Sequence, residues 1–217
     1  MDWKRQVFEN FRLYAVTDLK GYDPDFLAKV EKAYRGGCDI VELRSKTLTD
    51  AELLRLGIKI RKIADRCRKL FIVNDRPDLA IAAGADGVHL GQDDLPVRAA
   101  RELAKKAGRP LLLGKSTHSL VQAKKAAAEK PDYVAVGPVF STPTKPDYEP
   151  VGLGLVEKVS KQIRIPVAAI GGIDASNLDA VLHAGARRIA VVRALFSAEN
   201  IEAAAAKLRE RIEKFPL

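Results

Sequence analysis

Eight short runs rich in β-branched and other apolar residues recur along the 217-residue chain at nearly even intervals. This spacing limits the fold more than any other feature. The runs are 13–16, 39–43, 70–73, 87–90, 111–114, 133–136, 167–170 and 188–192. Between them lie segments of helical periodicity with recognisable starts, such as Thr49-Asp50 ahead of Ala51-Glu52-Leu53-Leu54 and Ser119 ahead of Leu120. Several helices close on glycine just before the next strand, at Gly36-Gly37, Gly84, Gly108 and Gly185, where a left-handed residue turns the chain. Strands alternating with helices pair in parallel through right-handed crossovers, and eight repeats suffice to close the sheet. The expected fold is α/β, a single (β/α)8 TIM barrel spanning 1–217. An open doubly wound sheet shares the alternation. However, Thr17-Asp18-Leu19-Lys20-Gly21 follows the first strand where a dinucleotide-binding sheet carries a glycine-rich turn.

Ahead of the first strand, Trp3, Val7, Phe8 and Phe11 share one face of a helical stretch. That face is expected to cap the lower mouth of the barrel, the other reading being a membrane-surface helix. With 47% apolar and 30% charged residues the chain is globular, and its +9 balance suits anionic ligands without choosing among them. The basic pairs Lys105-Lys106, Lys124-Lys125 and Arg187-Arg188 are scattered and lack interleaved aromatics, so a nucleic-acid partner is not expected. The two cysteines, Cys38 and Cys67, form no C-x-x-C and read as buried free thiols. No stretch has signal-peptide or membrane-span character, so a soluble cytoplasmic protein is expected, with homo-oligomerisation left open. One Met, two Cys and abundant Lys, Glu and Arg resemble the composition of heat-adapted proteins.

Catalytic groups of a barrel stand at the C-terminal ends of its strands, and here those positions are unusually polar. After strand two come Glu42, Arg44 and Lys46, which share one side of an extended segment. Strand three leads to Asn74, Asp75 and Arg76, strand four to His89, Gln92, Asp93 and Asp94, and strand five to Lys115, Ser116, Thr117 and His118. Asp75 and Asp94 end adjacent strands, where paired carboxylates suit a hard cation that also touches a diphosphate. Asp93 and Asp94 alternatively read as an N-cap and first-turn acid before Leu95-Pro96. The long connection 137–150 carries Thr142, Pro143, Thr144 and Lys145. Gly171-Gly172 after strand seven and Arg193 after strand eight fit the phosphate site that many barrels build from those two loops. A mouth with a metal-diphosphate side and a monophosphate side suggests transfer between two phosphorylated substrates.

These residues resemble the thiamine-phosphate synthase (thiamine-phosphate pyrophosphorylase) family. The matching blocks are Tyr14-Ala15-Val16-Thr17-Asp18, Asn74-Asp75-Arg76-Pro77-Asp78, Gly87-Val88-His89-Leu90-Gly91-Gln92-Asp93-Asp94, Gly137-Pro138-Val139-Phe140 with Thr142-Pro143-Thr144-Lys145, and Ala169-Ile170-Gly171-Gly172-Ile173. The resemblance implies a magnesium-dependent transferase joining hydroxymethylpyrimidine diphosphate to thiazole phosphate. It implies that Glu42, Leu43, Arg44, Ser45, Lys46, Asn74, Ser116 and Lys145 bind the pyrimidine diphosphate, with Arg44, Lys46 and Lys145 stabilising the leaving group. It implies Asp75 and Asp94 as magnesium ligands, and Thr142, Pro143, Thr144, Gly172, Val192 and Arg193 on the thiazole-phosphate side. Three positions depart from the family pattern: Glu42 is more often glutamine, Lys115 more often apolar and Arg193 often serine. A thiazole tautomerase branch of the same superfamily, which uses a histidine near the position of His118, is the rival reading. His89 and His183 read as a packing residue at the mouth and a helix-surface residue.

Overall fold

In the computed structural model, which describes residues 3–144 and 148–217, the strands close into one parallel barrel in sequence order. They are β1 (Leu13–Val16), β2 (Ile40–Leu43), β3 (Leu70–Asn74), β4 (Gly87–Leu90), β5 (Leu112–Thr117), β6 (Tyr133–Val136), β7 (Val167–Ile170) and β8 (Arg188–Val191). Closure is made by β1 pairing with β8, Leu13 opposite Ile189. The interleaved helices are α2 (Phe26–Arg35), α3 (Asp50–Cys67), α4 (Pro77–Ala83), α5 (Val97–Lys106), α6 (Leu120–Ala128), α7 (Gly152–Gln162) and α8 (Leu178–His183). A short α9 (Arg193–Phe196) and a longer α10 (Ile201–Glu213) follow β8.

The helix starts read from sequence carry their expected caps. Thr49 and Glu52 form a reciprocal capping box at α3, and the Ser119 hydroxyl accepts from Gln122 N–H at 3.1 Å to start α6. Two expectations change. Strand β5 extends through Lys115, Ser116 and Thr117, which pair in register with Val134, Ala135 and Val136, so these polar residues belong to the strand rather than to a loop after it. Asp93 and Asp94 do not cap α5. That helix begins at Val97 behind Pro96, and the Asp94 carboxylate turns back to accept from Gly91 N–H at 2.6 Å.

The apolar side chains fall into two sets because alternate strand residues face opposite ways. One set fills the space between strands and helices. The other lines the lumen and includes Tyr14, Ile40, Leu70, Ile72, Tyr133, Ala168 and Ala190. The leading helix α1 (Trp3–Asn10) closes the lower end. Val7 and Phe8 pack against the lumen set, Phe8 stacks on Phe11 with ring centroids 5.7 Å apart, and both rings meet Tyr133. Trp3 is not in that set and instead carries the Lys4 ammonium 5.5 Å from its ring. Arg188 reaches under the floor, its guanidinium 5.1 Å from the Phe11 ring and 3.0 Å from the Glu9 carbonyl that ends the helix.

The lower rim repeats one device. Asp39, Asp86 and Asp132 immediately precede β2, β4 and β6, and each gives its backbone N–H to the preceding odd strand, to Leu13, Phe71 and Leu113 in turn. The side chain of each then takes that same residue's N–H. A left-handed residue stands two places before each aspartate, Gly37, Gly84 and Lys130, which turns the chain into the clasp. Before β8 the left-handed Gly185 remains but Arg187 replaces the acid. Cys38 is buried, whereas Cys67 is partly exposed, contrary to the expectation of two buried thiols. Among the described residues no helix is long and apolar enough to cross a membrane.

Candidate active site

At the opposite, C-terminal rim, an open cleft of about 740 Å³ runs down into the lumen, lined by Glu42, Arg44, Asn74, His89, Ser116, His118, Thr142, Thr144 and Val192 among others. A second cleft of about 680 Å³ adjoins it, lined by Thr142, Gly171, Gly172, Asp174, Val192, Arg193 and Ser197. The two share Thr142, Gly171, Ala190 and Val192. Strand alternation sorts the β2 residues. Glu42 faces the lumen and is nearly inaccessible, whereas Leu43 is buried against the helices. Beyond the strand, the Arg44 guanidinium is ion-paired with Asp18 at the mouth, and the Ser45 hydroxyl bonds the Leu19 carbonyl at 2.7 Å, tying the β1 and β2 loops together. Asn74 is the last residue of β3, and its cross-strand neighbour on β4 is His89. Pro143 lies in the turn between Thr142 and Thr144. Lys145 lies outside the described residues.

Asp75 holds a left-handed backbone, φ +63°, just past β3, fixed by its N–H bonding the His89 carbonyl at 2.8 Å. Such a conformation costs a non-glycine residue about 1–2 kcal/mol, and strain of this kind concentrates at functional sites. Its carboxylate meets the Lys46 ammonium at 2.6 Å and hydrogen-bonds the Asp94 carboxyl. Burial alone would raise the Asp75 pKa, but the bonds from Asp94 and Lys46 outweigh it and hold this carboxyl below its usual range. Burial and the neighbouring Asp75 push the Asp94 carboxyl the other way, above its usual range. Two adjacent carboxyls that already attract an ammonium form a hard-oxygen donor pair suited to a divalent cation. Among the described residues no third acidic, His or Cys side chain joins them.

The second cleft owes its shape to backbone. Gly171 and Gly172 have φ of +100° and +66°, and a Cβ at Gly172 would come within 2.7 Å of Phe140 Cβ and 2.8 Å of the Ser141 oxygen. Glycine is required there because two loops pass this closely. Arg193 opens α9 on the exposed side of the cleft. Its charge adds to the Ser176 bonds that chiefly hold the Asp174 carboxyl below its usual range.

Reasoning from sequence missed part of the lining. His89 is a lumen residue bonded through both ring nitrogens, to Tyr133 and Ser116, rather than a packing residue. Tyr14 and Thr117 also line the cleft. Tyr14 and His89 alternate with outward apolar neighbours, which was a readable signal. Lys115 points outward from the strand, is buried, and gives its ammonium to the Gly91 carbonyl at 2.6 Å, which supports the loop that carries Asp94. His118 lines the cleft with Nδ1 2.5 Å from the Gly137 carbonyl and its ring 4.5 Å from that of Tyr148. His183 ends α8 on the surface, its ring edge-on to Phe215.

Fold and mouth together define a (β/α)8 barrel with two adjoining clefts at the C-terminal ends of its strands. The chain belongs to the thiamine monophosphate synthase family, whose model matches residues 13–195. It is 47% identical over 203 residues to a thiamine-phosphate synthase of Gloeobacter violaceus, covering 94% of this chain and 58% of that protein. The chain thus spans about three-fifths of the length of that curated relative, and a similar share of others. A thiamine-phosphate synthase of Methanoculleus marisnigri is 44% identical over 206 residues, covering 93% of this chain and 95% of its own. The solved thiamine phosphate pyrophosphorylase of Pyrococcus furiosus superposes with a TM-score of 0.85 at 35% identity, covering 94% of this chain and 96% of its own.

Proposed function

We propose that this chain joins hydroxymethylpyrimidine diphosphate to thiazole phosphate, giving thiamine phosphate and diphosphate. The observation that supports this reading is the Lys46, Asp75 and Asp94 cluster next to Asn74, which with Arg44 lines one cleft, while Gly172 and Arg193 line the adjoining one. The bond between the methylene carbon and the diphosphate oxygen breaks with its electron pair leaving on the diphosphate. The aminopyrimidine ring spreads the resulting positive charge. The thiazole nitrogen lone pair then forms the new C–N bond, and no proton has to move, so no general base is needed.

The work left to the protein is charge stabilisation and positioning. Asp75 and Asp94 would hold magnesium, which when bound neutralises charge on the departing oxygens. Arg44 and Lys46 supply fixed cations, and Arg44 acts with little solvent screening because it is nearly buried. Lys145 joins them by the family resemblance, as do Leu43 and Ser45 through the segment that carries Arg44. Asn74, Ser116 and Glu42 face the pyrimidine diphosphate. Thr142, Pro143, Thr144, Gly172, Val192 and Arg193 bound the thiazole phosphate.

The direct test mixes both substrates with magnesium and follows thiamine phosphate, with thiazole isomerisation run in parallel. Coupling without isomerisation is expected, and isomerisation alone would assign the chain to the tautomerase branch through His118. Arg193→Ala is expected to raise the KM for thiazole phosphate about 10-fold with little change in kcat, since a bidentate phosphate contact is lost. A defect confined to the diphosphate substrate would move the monophosphate elsewhere. The compartment proposed is the cytoplasm.

A further inference from the structure

Five side chains inside the barrel form one unbroken hydrogen-bonded line that starts and ends at the cleft. Glu42 Oε2 lies 2.5 Å from the Tyr14 hydroxyl, which lies 2.9 Å from the Tyr133 hydroxyl. The Tyr133 hydroxyl lies 2.9 Å from His89 Nδ1, and His89 Nε2 lies 2.8 Å from Ser116 Oγ. Burial holds both phenols well above their ordinary pKa, so each carries one proton.

The Tyr14 hydroxyl donates to the Glu42 carboxyl, so its single proton points there. Tyr14 oxygen then accepts from Tyr133, whose single proton is thereby used. Tyr133 oxygen in turn accepts from His89 Nδ1–H, which leaves Nε2 as an acceptor for the Ser116 proton. The opposite histidine tautomer would send the Tyr133 proton to Nδ1 and leave two phenol oxygens facing each other at 2.9 Å with no proton between them. Buried polar groups do not tolerate that arrangement without cost.

We propose that Glu42 orders this line from end to end, making Tyr14, Tyr133 and His89 positioning residues that turn the Ser116 proton into the barrel wall and its lone pairs toward the cleft. Both ends of the line then present acceptors, a carboxylate and a hydroxyl oxygen. This wall selects the part of a ligand that bears N–H groups or positive charge, a heteroaromatic amine, and leaves the phosphate oxygens to Arg44 and Lys46. Ser116 accordingly does not donate to a diphosphate oxygen. This last step rests on the proposed coupling reaction, whereas the proton ordering does not.

The test begins with uniformly 15N-labelled protein at about pH 8, above the ordinary histidine range. Long-range 1H–15N spectra read the tautomer of each ring, and the chain has three histidines, with His89→Asn identifying the relevant signals. The expected result is a neutral His89 protonated at Nδ1, moving to Nε2 in Tyr133→Phe. The same variant should lose about 10-fold in kcat/KM toward the pyrimidine diphosphate while the KM for thiazole phosphate stays within about twofold. A wild-type His89 protonated at Nε2 overturns the proposal, as does an unchanged tautomer in folded Tyr133→Phe. If Tyr133→Phe does not fold, the wild-type spectrum alone decides. If the coupling reaction itself is absent, the tautomer measurement still stands, because it needs no substrate.

Discussion

Asp75→Asn is expected to lower kcat/KM for coupling by at least about 100-fold while the protein stays folded. Asparagine has the same shape and tolerates the left-handed backbone at this position, so the variant removes little except charge. The contact with Asp94 and the ion pair with Lys46 both depend on that carboxylate. Asp75→Gly sharpens the comparison. Glycine relieves the backbone cost of about 1–2 kcal/mol but loses more freedom on folding, so its stability should match the native chain to within about 1 kcal/mol. Asp75→Ala keeps the strain without the side-chain contacts and should be less stable than Asp75→Gly. Calorimetric titration with magnesium and a steady-state assay would check these expectations. Unaltered magnesium affinity in a fully active Asp75→Asn protein would remove the metal assignment.

The second large effect lies at the other end of the barrel. Asp39→Ala is expected to destabilise the fold by about 3–5 kcal/mol, because it strands buried charge. The Asp39 carboxylate is almost inaccessible and accepts from Arg12 N–H at 2.8 Å, from Leu13 N–H at 3.3 Å, from Lys69 at 2.8 Å and from Arg209. Lys69 and two backbone donors lose a partner together, and Arg209 is left with Glu213 alone among acids. Against a total stability of about 5–15 kcal/mol this is a large fraction, equivalent to a fall in Tm of about 10 °C. Asp132 makes the same clasp with its carboxylate 31% exposed and Arg101 3.7 Å away. Water can replace what is lost there, so Asp132→Ala should cost about 1 kcal/mol. Thermal unfolding followed by circular dichroism separates the two; equal losses would show that the clasp stabilises the rim without the buried charges mattering.

The strand and helix alternation was legible because each strand of this barrel is buried on both faces and reads as an apolar run. Reading stopped where the lumen turns polar. The second half of β5, Lys115-Ser116-Thr117, has no apolar residue, yet one side of it faces the cleft and the other supports the Asp94 loop. His89 looked like a packing residue because its partners Ser116 and Tyr133 lie 27 and 44 positions away in the chain, and only the pairing of strands brings them together. Asp94 was ambiguous for a local reason, since an acid ahead of Leu95-Pro96 resembles a helix start. The rim aspartates carried a signal that periodicity ignores, an acid two residues after each left-handed turn. The glycine turn and Arg193 stand together at one cleft because topology fixes which ends of the strands converge there.

The stacked rings of Phe8 and Phe11 beneath Tyr133 have a bearing on kinetics. Among the described residues they fill the base of the lumen, so in the proposed reaction substrates and products would share the doorway at the opposite rim. Traffic through one doorway is sequential: a departing anion clears the way before the next pair is seated. Solvent would then enter by that same rim, and the lifetime of an electron-poor intermediate in the proposed reaction would depend on how well the occupants themselves stopper the opening.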